Sequence, residues 1–175
     1  GVYASANLLP LLGARTAIGR TFTADEDRME NGADVGVIGY RLWKNVFASD
    51  SSILGRVVSI AGLKVTVIGV LADGFTGIDL DPVDVWLPLA KYPPNRKLDI
   101  PWYRHWRFGA IVRAVGRIAP RVSDEWISSV ATTAFRRGEI ANVRLGPDTA
   151  TILTGPILAA LGPSTVLDAP NLIDD

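Results

Sequence analysis

The residues best equipped for chemistry gather around the only histidine, His105, in the run Trp102-Tyr103-Arg104-His105-Trp106-Arg107. An imidazole titrates near neutral pH and can act as a general base, while aromatic rings and arginines together can stack on bases or sugars. Each use needs partners that the chain does not announce. A transition-metal site would draw all its other ligands from carboxylates, and a serine-histidine-aspartate device would need a serine that no elbow motif marks. The plainer reading is that the aromatics open a strand, bury one edge and carry the arginines over their faces.

A second concentration is acidic: Asp25, Glu26 and Asp27 stand side by side. Hard cations want several carboxylate oxygens, but adjacent carboxylates more commonly complement the start of a helical turn and face water. The glycine-rich stretch from Gly55 to Gly77 contains neither Gly-x-x-x-x-Gly-Lys-Ser/Thr nor Gly-x-Gly-x-x-Gly, so it encodes no phosphate cradle. Without cysteine there is no disulfide, thiolate metal site or cysteine nucleophile. The residues thus nominate no catalytic group, no cofactor-binding group and no metal ligand. Trp43 with Phe47, Trp126 with Val130, and Trp86-Leu87-Pro88 read as core rather than recognition surface.

The elements that would position these residues follow from periodicity and punctuation. Ser5 to Leu12 is a brief helix with Asn7 as its cap and Gly13 as its stop. Thr23 caps the acidic turn. Val35, Val37 and Ile38 form a buried strand, and Tyr40 to Phe47 a helix gathering Leu42, Trp43, Val46 and Phe47 on one face. Val57 to Ala61 and Lys64 to Leu71 read as a hairpin turning at Gly62-Leu63, followed by a strand at Asp84 to Leu89. Lys91 to Pro101 is a crossover, and Trp106 to Ile118 a long strand. Ser123 then caps a helix that Gly138 ends, with Trp126, Ile127, Val130, Ala131, Ala134 and Phe135 on its apolar stripe. Val143 to Leu145 and Thr151 to Leu153 are short strands, Pro156 to Leu161 a helical turn, and 162–175 a flexible tail.

The bulk numbers agree with a folded body. A chain of 175 residues, 48% apolar and 21% charged, has a globular composition. At this length folding buries roughly 70% of the unfolded surface. Zero net charge advertises no nucleic acid. No window reaches the roughly 18 to 20 consecutive apolar residues of a membrane helix. The only methionine is Met29 and the chain begins at Gly1, so it is expected to be a piece of a longer protein.

Four stretches in order carry a family resemblance. They are Asn7 with Leu12-Gly13-Ala14-Arg15, Gly19-Arg20-Thr21-Phe22 and Glu26-Asp27-Arg28; Val35-Gly36-Val37-Ile38 with Leu42-Trp43, Phe47, Asp50 and Leu54-Gly55-Arg56; Val67-Ile68-Gly69-Val70 with Gly74-Phe75 and Asp84 to Leu89; and Gly116-Arg117-Ile118 with Pro120 and Val122-Ser123. Spanning Asn7 to Arg137, this pattern resembles the extracytoplasmic (periplasmic) core domain of macrolide-exporter-type, MacB/FtsX-like, ABC-transporter permeases. Departures are Leu8 and Leu9, where the family usually has aromatics, and Arg121, where it has a turn glycine.

The resemblance implies an α/β domain of mixed α+β character in two lobes, inserted between the first two membrane helices of a permease. Residues 1–21 would lead from a small βα platform into an outer lobe at 22–94. Residues 95–161 would return to the platform, whose first strand and helix would precede Gly1. The implied role is to transmit conformational change and dock substrate or a periplasmic partner during export, at the extracytoplasmic face of a bacterial membrane. Implied partners are the chain's own membrane helices, a second permease subunit, a separate ATP-hydrolysing nucleotide-binding subunit and a periplasmic adaptor. No cofactor is implied, and the isolated chain is expected to be monomeric. The alternative from another class is a small-molecule or peptide-binding module of a membrane-anchored protein, whose mark would be a concave apolar site with a few polar groups. An enzyme ranks third.

Overall fold

Runs of β-branched residues separated by glycines dictate the architecture of the first part of the chain. The computed structural model describes residues 1–60, 62–78, 81–92 and 113–142. Gly1–Tyr92 belongs to one compact unit, and residues 113–142 fall within another, Pro93–Pro156.

The first unit is built on six strands: β1 (Val2–Ala4), β2 (Thr16–Gly19), β3 (Val35–Ile38), β4 (Val57–Ile60), β5 (Leu63–Leu71) and β6 (Val85–Pro88). Their order is β1-β6-β3-β5-β2, with β4 also paired to β5. β1 runs parallel to β6 and β3 parallel to β5, whereas β6–β3, β5–β2 and β5–β4 are antiparallel, so the sheet is mixed. Residues 1–21, expected to lead into the outer lobe, supply β1, β2 and the helix α1 (Leu8–Leu11) to this same body. Side chains alternate across the pleat and create a core on each face. Ile38, Val65, Val67, Val70, Val85 and Leu87 bury themselves with Ile53 on one side, and Val37, Leu71 and Trp86 with Ala4, Leu9 and Phe22 on the other. Helix α2 (Tyr40–Val46) covers the first face and α1 the second.

Two glycines of the quoted motifs are required by close approach. A Cβ on Gly69 would lie 2.1 Å from the carbonyl oxygen of Arg20, and one on Gly19 2.3 Å from that of Ile68. Where β2 and β5 meet there is no room for any side chain at these positions. Opposite, β5 carries an extra residue against β3: Gly36 pairs with Val67 and Val37 with Gly69, leaving Ile68 as a bulge.

Several local expectations need correction. The hairpin turns one residue early, with Ile60 facing Leu63 and Gly62 at φ +83°. Asn7 occupies the cap of α1, but its side chain makes no cap bond; Asn7 Oδ1 accepts instead from the Ser5 hydroxyl at 2.6 Å. On α2, Leu42, Trp43 and Phe47 pack on the core, whereas Val46 is 65% exposed. Val46 is the last helical residue, and the chain reverses just beyond it through Ala48 and Ser49, both at positive φ, so no later element among the described residues covers it.

In the second unit, α3 (Asp124–Asn142) starts as expected, with Ser123 Oγ accepting from the Trp126 N–H at 3.2 Å. It runs through Gly138 instead of stopping there, since one glycine costs only about 1 kcal/mol in a long helix. Its covered stripe is offset by one residue: Ile127, Ser128, Ala131 and Thr132 are half-buried, whereas Trp126, Val130 and Phe135 are exposed. The segment 113–118 is not a strand. The rest of the expected strand from Trp106, the crossover beyond Tyr92, the strands at 143–145 and 151–153, the turn at 156–161 and the tail lie outside the described residues, as does the His105 cluster.

Candidate functional site

The acidic trio falls wholly within the described residues, and its three carboxylates have three separate destinations. Thr23 and Glu26 form a reciprocal capping box around a turn: Glu26 Oε2 accepts from the Thr23 N–H at 2.8 Å, and Thr23 Oγ1 accepts from the Glu26 N–H at 3.3 Å. Glu26 also receives a two-pronged bond from Arg20, at 2.7 and 2.8 Å. The Arg20 guanidinium, aided by the Thr23 donors, holds the Glu26 carboxyl down at about 2. Asp25 pairs in solvent with Arg28. Asp27 turns inward, where Oδ2 accepts from the Ala6 N–H and Oδ1 from the Ala90 N–H, each at 2.9 Å. Carboxylates committed to a guanidinium and to backbone amides do not converge on a cation, and no cluster of metal-ligating side chains occurs among the described residues.

This turn sits beside the ends of β1 and β6. Ala6 follows β1, and Ala90 follows β6. Nearby, the Tyr3 and Tyr92 rings meet edge to face at 5.1 Å, and burial, with Tyr92 beside it, pushes the Tyr3 phenol above its usual value. Lys91 pairs with Asp34 at 2.6 Å. The inward role of Asp27 is not legible from spacing, because a carboxylate that serves amides 21 and 63 residues away from it in the chain leaves no local periodicity; the hint is only its place beside the capping box.

A notch of about 60 Å³ lies between Gly39, Tyr40, Phe75 and Val83, with the Arg41–Asp84 pair at its rim. Sites for small molecules generally need about 300 Å³ or more. Trp86 behaves as core, 1% exposed with its ring 5.9 Å from that of Phe75, and its Nε1–H has no acceptor. Trp43 is partly buried and donates Nε1–H to the Asp50 carbonyl at 2.9 Å.

The glycine contacts at Gly19 and Gly69, the capping box on Glu26 and the buried Val85-Trp86-Leu87-Pro88 strand explain physically why the quoted stretches take the form they do. Residues 1–125 match the family model of the MacB-like periplasmic core domain. The chain belongs to that family. The periplasmic region of MacB from Actinobacillus actinomycetemcomitans shares the fold at a TM-score of 0.52 and 18% identity, over 76% of this chain and 53% of that one. The extracellular domain of the noncanonic ABC-type transporter YknZ from Gram-positive bacteria matches at 26% identity and a TM-score of 0.39, over 49% of this chain and 40% of that one. The core domain thus spans about half the length of these solved structures. No curated protein matches it. The family is the extracytoplasmic part of MacB-like ABC-transporter permeases, and its mixed α+β fold is the one that the resemblance implied. No helix among the described residues is long and apolar enough to cross a membrane.

Proposed function

We propose that this core domain is a non-catalytic body that carries conformational change during export and docks the exported substrate or a periplasmic partner. Membrane helices elsewhere in the parent chain anchor it. ATP hydrolysis belongs to a separate nucleotide-binding domain or subunit, and the permease works with a second permease subunit. Within the domain, residues 22–94 act as an outer lobe, 95–161 return to the platform, and 162–175 form a tail.

The observation that carries this reading, beyond family membership, is that β1 and β6 lie side by side in one sheet. A displacement applied to β1 therefore acts on β6, the strand that precedes the unit boundary at Tyr92. A sheet with a core on each face is stiff, as a transmitting body must be, because close-packed interiors pass strain on without absorbing it.

The absence of cysteine from this domain makes its topology directly measurable. Ser59 is exposed on β4, so Ser59→Cys in a parent permease with its other cysteines replaced offers a single thiol to a membrane-impermeant maleimide. Labelling of intact, unpermeabilised cells is expected. Labelling only after lysis contradicts the proposal.

A further inference from the structure

The parallel ladder between β1 and β6 ends early. Its register is Val2 with Trp86, Tyr3 with Leu87 and Ala4 with Pro88. Two residues further along each strand, the same offset sets Ala6 against Ala90, but the ladder cannot continue to them. Pro88 has no N–H to donate, and Ser5 and Ala6 already turn into α1. The two amides that follow the ladder are satisfied by a third party: Asp27 Oδ2 takes Ala6 and Oδ1 takes Ala90, each at 2.9 Å and partly buried. One carboxylate thus stands in for the missing rung between the strand that brings the chain in and the turn that leads it out at Tyr92.

We infer that Asp27 is a clasp that couples the incoming strand β1 to the outgoing turn after β6, so that loosening one loosens the other. A carboxylate suits the task because it offers acceptors on two sides and no donor, and a hydrogen bond to a charged acceptor is among the stronger kinds. An asparagine of the same size would present an NH₂ group to one amide and leave it facing a donor. The capping box on Glu26 fixes the turn that carries Asp27, so the clasp is held from a third direction. Its value to a transmitting body rests on the function proposed above; the coupling itself is a property of this chain alone and is tested on it.

The experiment is amide hydrogen exchange, read by NMR on the 175-residue chain. Val2→Ala loosens β1 at a position that does not touch the Asp27 bonds. With Asp27 present, Val2→Ala is expected to speed exchange at both Ala6 and Ala90, by about tenfold each. In an Asp27→Asn background, Val2→Ala is expected to speed Ala6 and leave Ala90 at the rate set by Asp27→Asn alone. Tyr92→Ala, which removes the neighbouring ring contact, should leave the coupling in place. Equal acceleration of Ala90 with and without the carboxylate overturns the inference, since the coupling would then run through the sheet. So does an Ala90 rate that ignores Val2→Ala when Asp27 is intact.

Discussion

Glu26→Gln removes one negative charge and one of the two acceptors that face Arg20. Glutamine keeps an oxygen for the Thr23 amide and nearly the same volume, so the loss measured is that of the charge together with one guanidinium hydrogen bond. The folded carboxyl is held at about 2 against an ordinary 4.5, first by the Arg20 bonds and then by the Thr23 donors. Taken whole, that gap corresponds to a ceiling of about 3 kcal/mol. Glu26 is only 19% exposed, but the Arg20 side chain is 54% exposed, so solvent screening lowers the expectation to about 1–2 kcal/mol. The sign follows from the direction: a carboxyl whose value is depressed on folding contributes fully above its unfolded value. That contribution is lost as pH falls from about 4.5 towards 2. Urea titrations of both chains should therefore show the variant weaker by about 1–2 kcal/mol at pH 7, with the difference reduced to about a quarter of that near pH 2.5. Equal stabilities at pH 7, or a penalty that does not change between the two pH values, would refute the reasoning.

Trp43→Ala is expected to cost about 2 kcal/mol in the same titration, less than a fully buried tryptophan, because Trp43 is only partly covered. Val46→Ser, one turn on and 65% exposed, should stay within about 0.5 kcal/mol. Arg121 has φ +71°, so Arg121→Gly should stabilise the second unit by about 0.5–1 kcal/mol in thermal unfolding; a loss of stability would show that the arginine side chain outweighs the strain. Light scattering over a concentration series should report a monomer of 18.8 kDa, because no helix among the described residues can cross a membrane and supply the tether that concentrates weak contacts.

The sheet was largely legible because its strands are β-branched runs bounded by glycines, and β3, β4, β5 and β6 fall within a residue or two of expectation. Sequence also pointed to the caps whose chemistry is local, Thr23 with Glu26 and Ser123 with the start of α3. What it could not supply was long-range partnership. β1 and β2 were not recognised as strands, since three- and four-residue segments carry too little periodicity, and β1 is defined by its pairing with β6, more than 80 residues away. On α2 the expected helical phase fails only at the last residue, Val46, whereas on α3 the whole covered stripe lies one residue, a 100° step, from the expected one. Arg121 shows the reverse case. The departure from a family glycine was visible in the residues, and the positive φ at that position explains why the family prefers glycine there. Asp27 was read as one member of a solvated acidic run, and only the fold separates it from its neighbours.

The central claim is that motion passes through this body, and the boundary between Tyr92 and Pro93 is the place to interrupt it. In vesicles carrying the parent permease and its ATPase, a flexible Gly-Ser insertion at that boundary is predicted to leave ATP hydrolysis intact while export is lost. Export that continues undiminished alongside hydrolysis would contradict the claim.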